Sequence, residues 1–246
     1  RPSTGGAMTD AAPPFKRIIV DLHCSGCDRL IVQQAAELAQ LLQLELFGRF
    51  FADPAPARLA ALPFAREFRT GERAWAPLEG HNVSQELSLA ITAAERLFKQ
   101  MTATLPRQFQ IIHDPAQLEH PQNGRGETIA VIHQSGYPSA PFEQMLASAF
   151  QIAASVLILP SGVPPKSGPI LAVVNGAEDP AAGIAAALAR ATGEPLLRLD
   201  SHTGTAAQVP AARLIVTSRG TLTNATLALI AARKKTPVLV IDTEPA

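Results

Sequence analysis

Short apolar runs alternate with alanine- and leucine-rich segments of helical periodicity over most of the chain, and this alternation decides the fold class. Phe15–Asp21, with Ile18-Ile19-Val20 at its centre, reads as a strand buried on both faces. From about Cys27 to Leu42, Leu30, Ile31, Ala35, Leu38, Leu41 and Leu42 recur at helical spacing. Further strands are expected at Leu44–Phe51, Gln108–His113, Thr128–His133 and Ser155–Leu159. Ser84–Met101 is an amphipathic helix with Leu87, Ile91, Ala94, Phe98 and Met101 on one face, and Phe142–Ala153 is another helix. Residues 53–82 contain Pro54, Pro56, Pro63 and Pro77 and read as an irregular excursion with one short helix. Strands alternating with helices predict parallel βαβ units with both sheet faces covered.

After a linker, Pro160–Gly168, the pattern restarts. Pro169–Asn175, Pro195–Asp200, Leu214–Ser218 and Pro237–Ile241 read as strands, and Pro180–Thr192 and Thr223–Lys234 as helices. Corresponding elements share residues in the same order. Ala35–Gln40 answers to Ala185–Arg190, Val20-Asp21 to Val174-Asn175, Ser135-Gly136 to Arg219-Gly220, and Ser155–Leu159 to Pro237–Ile241. Four elements in one order point to an internal repeat. The expectation is two α/β domains, residues 15–163 and 168–246, each with its own parallel sheet. The second has only Ser201–Ala212 where the first has Asp53–Glu127, so it should lack one helix and one strand. The two should pack through their last strands or the flanking helices.

Twenty-one basic residues balance 21 acidic ones, so no overall field draws the chain to nucleic acid or an anionic membrane. With one Trp and one Tyr there is no stacking platform for single strands. The longest apolar stretch, Leu146–Leu159, is too short to span a bilayer. Residues 1–15 carry no apolar signal region, and Arg1–Ala7 before Met8 read as a start-site extension. A cytoplasmic protein with mostly reduced cysteines is expected.

The ordered set Ile18-Ile19-Val20-Asp21, the Ala35–Leu42 helix, Leu214–Gly220 and Pro237-Val238-Leu239-Val240 resembles the universal stress protein family. Those proteins have a first strand ending in Val-Asp, a fourth strand running into a Gly-containing loop and a last strand reading Pro-Val-Leu-Val. The resemblance covers about residues 15–243 and implies a flavodoxin- or Rossmann-like layered fold that dimerises, here as a tandem pseudo-dimer that could itself form a homodimer. Nucleotide-binding members carry Gly, two residues, Gly, nine residues, then Gly and Ser or Thr. Here Ser139 stands three places after Gly136, with Ala149-Phe150 beyond it. Thr223 stands three places after Gly220, with Lys234-Lys235 beyond it. Those glycines let backbone N–H groups approach phosphate closely. Their absence predicts weak adenine nucleotide binding, with a Kd no tighter than about 1 mM.

Open α/β sheets bind ligands at the carboxyl ends of their strands. That places one candidate crevice at Asp21, His23, Ser135 and Gly136, and the other at Asn175, Ser218, Gly220 and Thr221. The resemblance implies that Asp21 contacts a base or ribose; the alternative is that it caps the loop. Ser218, Thr221 and Thr223 precede a helix and could hold an anion at its amino end, although Thr223 is equally suited to N-capping. His113 and His133 end strands and could face one crevice; the alternative, more common for scattered histidines, is that they are satisfied structural polar residues.

His23-Cys24-Ser25-Gly26-Cys27 is the most reactive-looking segment. Thiols at a helix start are biased toward thiolate, and Cys24 and Cys27 with His23 as a third ligand would suit Cu(I) or zinc. The competing reading is two small residues in a tight loop. No nucleophile triad, carboxylate pair or phosphate loop supports catalysis. The leading expectation is a non-enzymatic stress-response module that binds a small molecule. The alternative is a thiol redox or metal-handling protein.

Overall fold

The computed structural model describes residues 14–23, 29–113, 124–134, 140–160, 162–201 and 209–242. The first half contains β1 (Arg17–His23), α1 (Arg29–Leu42), β2 (Glu45–Phe51), α2 (Ala55–Ala60), β3 (Arg66–Arg69), β4 (Ala74–Pro77), α3 (Gly80–Met101), β5 (Arg107–Ile112), β6 (Thr128–Gln134), α4 (Ala140–Ile152) and β7 (Ser155–Pro160). The second half contains β8 (Ile170–Val174), α5 (Pro180–Thr192), β9 (Leu196–Asp200), β10 (Leu214–Ser218), α6 (Asn224–Lys234) and β11 (Val238–Ile241).

Local chemistry sets these boundaries. Helix α1 buries Val32, Ala35, Ala36, Ala39 and Leu42 along one stripe. It stops at Gln43, which takes a left-handed φ of 55° while Leu44 N–H turns back to the Ala39 carbonyl at 2.8 Å. Helix α5 begins with Asp179 as N-cap and Pro180 in the first turn, and ends at Gly193 with φ 68°. Strands β7, β8, β10 and β11 are buried at every residue, as expected for strands covered on both faces.

Among the described residues nine strands form one sheet, in the order β5-β2-β1-β6-β7-β11-β10-β8-β9. Helices α1, α3 and α5 cover one face, over residues such as Ile18, Leu46, Leu157, Ala172 and Val216. Helices α4 and α6 cover the other, over Ile132, Val156, Ile158, Val173 and Ile215. Each fully buried aliphatic side chain contributes about 1.5–3 kcal/mol, so the paired layers, rather than any single contact, hold the sheet.

The expected α/β class with parallel units is what forms. The expected separation into two sheets does not. Each half is parallel within itself, and the halves join where β7 and β11 pair antiparallel, with Leu157 opposite Leu239 and Val156 opposite Val240. Two edge strands apolar on both faces could not stay open to water, and each completes the other's hydrogen bonding. Asp242, whose side chain is 1% exposed, reinforces the join. Its Oδ2 lies 3.0 Å from Arg125 of the first half and 3.3 Å from Arg219 of the second, and its N–H donates to the Ala154 carbonyl at 2.7 Å.

Residues 53–82 differ from the irregular reading. Besides α2 they form an antiparallel hairpin of β3 and β4, with Phe68 and Trp75 edge to face at 5.4 Å. The prolines fall outside its centre: Pro54 and Pro56 sit at the start of α2 and Pro77 ends β4. Helix α3 begins at Gly80, four residues before the Ser84 expected from apolar periodicity. Between β9 and β10 there is neither helix nor strand among the described residues, and β9 is the sheet edge.

Candidate ligand crevices

In each half the strand order changes direction beside the first strand, between β1 and β6 and between β8 and β10, and open α/β sheets bind ligands outside the carboxyl ends at such a point. At the first, Asp21 is directly opposite Arg49 in the β1–β2 register. The guanidinium grips the carboxylate as a fork, Nε to Oδ1 at 2.7 Å and Nη2 to Oδ2 at 2.8 Å. Arg49 is 5% exposed and also lies over the Phe51 ring, 5.6 Å from its centroid. The Asp21 side chain keeps about a third of its surface, 34%, open to solvent. Both of its oxygens are engaged by Arg49, and each retains acceptor capacity toward the open side. Asp21 is therefore neither a simple loop cap nor a free acceptor.

His23 closes β1 opposite Phe51. Cys24, Cys27, Ser135 and Gly136 lie outside the described residues. His113 and His133 do not share a crevice. Strand β5 is at the sheet edge, so β2 and β1 stand between it and β6. β5 and β6 follow one another in sequence but are not neighbours in this sheet. His133 Nε2 is buried and has no hydrogen-bond partner among the described residues.

The second crevice is organised by Asp179, the N-cap of α5. Its Oδ1 accepts from Ala181 N–H at 2.9 Å and from the Ser218 hydroxyl, and its Oδ2 accepts from Asn175 N–H at 2.8 Å. Burial pushes its pKa up, but the bonds from Ser218, the Asn175 and Ala181 amides and Thr221 prevail and hold it below the ordinary carboxylate value. Ser218 and Thr221 thus serve Asp179 within the protein. Thr223 takes the capping role, accepting from Thr226 N–H at 3.2 Å. The Asn175 side chain is exposed. Gly220, at φ 83°, lets the chain reverse after β10, with Thr221 N–H bonded to the Ser218 carbonyl at 3.1 Å. Gly220 lines a cavity of about 80 Å³ with Phe150, Arg219 and Leu222, well below the roughly 300–1,000 Å³ of small-molecule sites. Arg219 turns from the crevice onto the Phe150 ring, 4.7 Å from its centroid, and to Asp242.

Among the described residues no three His, Cys, Asp or Glu side chains cluster as a metal site, and no helix is long and apolar enough to cross a membrane. Asp179-Pro180 is a legible helix start, and a lone Arg49 within an apolar strand is a legible request for a partner. Both signals were available in the sequence.

A mostly parallel α/β sheet with strand-end crevices defines a Rossmann-like layered protein. No family model matches the chain, and no curated protein matches it. Among solved structures, it is similar to a universal stress protein from Archaeoglobus fulgidus DSM 4304, with 12% identity and a TM-score of 0.54 over 91% of this chain and 96% of that one. It is also similar to a functionally unknown protein from Pseudomonas aeruginosa PAO1, with 16% identity and a TM-score of 0.50 over 96% of this chain and 94% of that one. At these identities the likeness is one of fold.

Proposed function

We propose that the chain is a universal-stress-protein-like regulatory module of the cytoplasm, built as two copies of the fold, residues 15–163 and a shortened 168–246, which binds a small molecule without catalysing a reaction. The observation that carries the reading is the likeness to the Archaeoglobus fulgidus universal stress protein over nearly the full length of both chains. The strand orders support the tandem element. Numbered within its half and leaving out the β3–β4 hairpin, the first half runs third, second, first, fourth, fifth; the second half runs the same way without its third strand. In the second crevice the Ser218 and Thr221 hydroxyls are spent on Asp179, which favours a ligand other than a nucleoside triphosphate.

Titration calorimetry with ATP tests this. The expected Kd is about 1 mM or weaker, and micromolar affinity or measurable ATP hydrolysis would overturn the reading. Native mass spectrometry of the protein from its own cells should then reveal the bound small molecule.

A second reading rests on His23-Cys24-Ser25-Gly26-Cys27, which joins the end of β1 to the start of α1. A thiol there would act in redox exchange or hold copper or zinc. The pH dependence of iodoacetamide labelling decides it. Labelling with a midpoint well below the ordinary thiol value of about 8.5, blocked by Cu(I), supports this reading; an ordinary midpoint without metal protection removes it.

A further inference from the structure

Helices α1 and α5 lie on the same face of the sheet, one from each half, and do not close completely over the join. Between them is a cavity of about 380 Å³. Its walls include Leu38 and Leu41 of α1 and Leu188 of α5, and Leu159, Ile170 and Leu214 at strand ends also line it. The connection from β7 to β8 closes one side through Pro164, Pro165 and Lys166. The volume falls in the range of small-molecule sites, and the lining is mostly aliphatic.

The polar groups of this wall narrow the occupant. Arg213 is already paired with Glu194 at 2.8 Å. Gln34 is 5% exposed, and its Nε2 donates to the Gly162 carbonyl at 2.9 Å. Its Oε1 is buried and accepts no hydrogen bond among the described residues. An amide oxygen in a mostly aliphatic wall calls for a donor; Glu37 and Lys166 also line the cavity but both are exposed to solvent, and among the described residues no buried, unpaired charge in the wall calls for an ion. We infer that this cavity binds a neutral, mainly hydrocarbon molecule carrying one O–H or N–H donor, of the size of a medium-chain alcohol or an aryl amine, with the donor directed to Gln34. The site is separate from the strand-end crevices and does not depend on the function proposed for them. Because both halves supply its walls, occupancy ties the halves together.

N-phenyl-1-naphthylamine, a neutral fluorophore with one N–H, provides the test in a fluorescence titration of the full chain. One saturable site with micromolar Kd is expected. 1-Octanol should displace the probe at roughly tenfold lower concentration than its isomer heptyl methyl ether, which lacks a donor, a ratio of about 1.4 kcal/mol. In Gln34→Leu that preference should vanish while the probe still binds. Leu41→Trp and Thr192→Trp fill the cavity from opposite walls, and each should weaken the probe more than tenfold with the helical circular dichroism unchanged. No saturable binding, binding indifferent to whichever filling variant folds, or equal competition by the alcohol and the ether in the unmodified chain would each overturn the inference.

Discussion

Asp21 and Arg49 show how one pair of side chains can stabilise and present a surface together. The guanidinium is buried and the carboxylate is about one-third exposed, so removing the acid strands a cation among apolar neighbours. Asp21→Ala is expected to lower stability by roughly 2–3 kcal/mol in urea unfolding. A residue waiting only for ligand would cost within about 0.5 kcal/mol on replacement. Asp179 makes a pH-dependent contribution. Its folded pKa is depressed, so its stabilisation is present above the ordinary carboxylate value of about 3.9 and is lost as pH falls through the lower folded value. Ser218→Ala should therefore be less stable than the unmodified chain at pH 7, and the gap should shrink by pH 3, as read from denaturant midpoints. A gap that held constant or widened would show that Ser218 acts on something other than the ionised Asp179.

At the scale of elements, Gly48 sets how closely α3 approaches β2. A Cβ there would stand 2.7 Å from Cε2 of Phe98, a side chain with no solvent exposure. Gly48→Ala should cost about 1–3 kcal/mol through overpacking. Phe98→Leu in the same chain should recover part of that, so the double variant is less destabilised than the sum; strict additivity would mean the ring is not the obstacle. The helices and buried strands were legible in the sequence because their periodicities, 3.6 for α1 and continuous apolar runs for β7 and β11, follow directly from what they bury. The β3–β4 hairpin was not. Its residues are exposed or half-buried throughout, so no apolar alternation marked it, and the prolines at its borders read as breakers. The Asp21–Arg49 pair was half legible. The charge in the strand could be seen, but its partner depended on which strands are neighbours, and that is a property of topology.

For the molecule as a whole, the join between β7 and β11 carries the heaviest demand. All four residues of β11 are buried, partly against β7, so residues 168–246 expressed alone would leave an apolar edge unpaired. Size-exclusion chromatography of that fragment should show aggregation, and a stable monodisperse monomer would show that the half does not need the join. The alternation of strands and helices before and after residues 160–168 could be seen in the sequence, but the joining of strands from both sides into one sheet could not. Pairing of two edges is decided by what else covers them, and no residue pattern within either strand states its partner. The antiparallel join has a further consequence. Strand direction reverses there, so the carboxyl ends of the first half's strands and those of the second half face opposite ends of the sheet. In a symmetric dimer of identical chains every substitution appears twice, and both sites must change together. In one continuous chain each end can change alone, so Asp21 with its buried Arg49 partner stands at one end and the exposed Asn175 at the other.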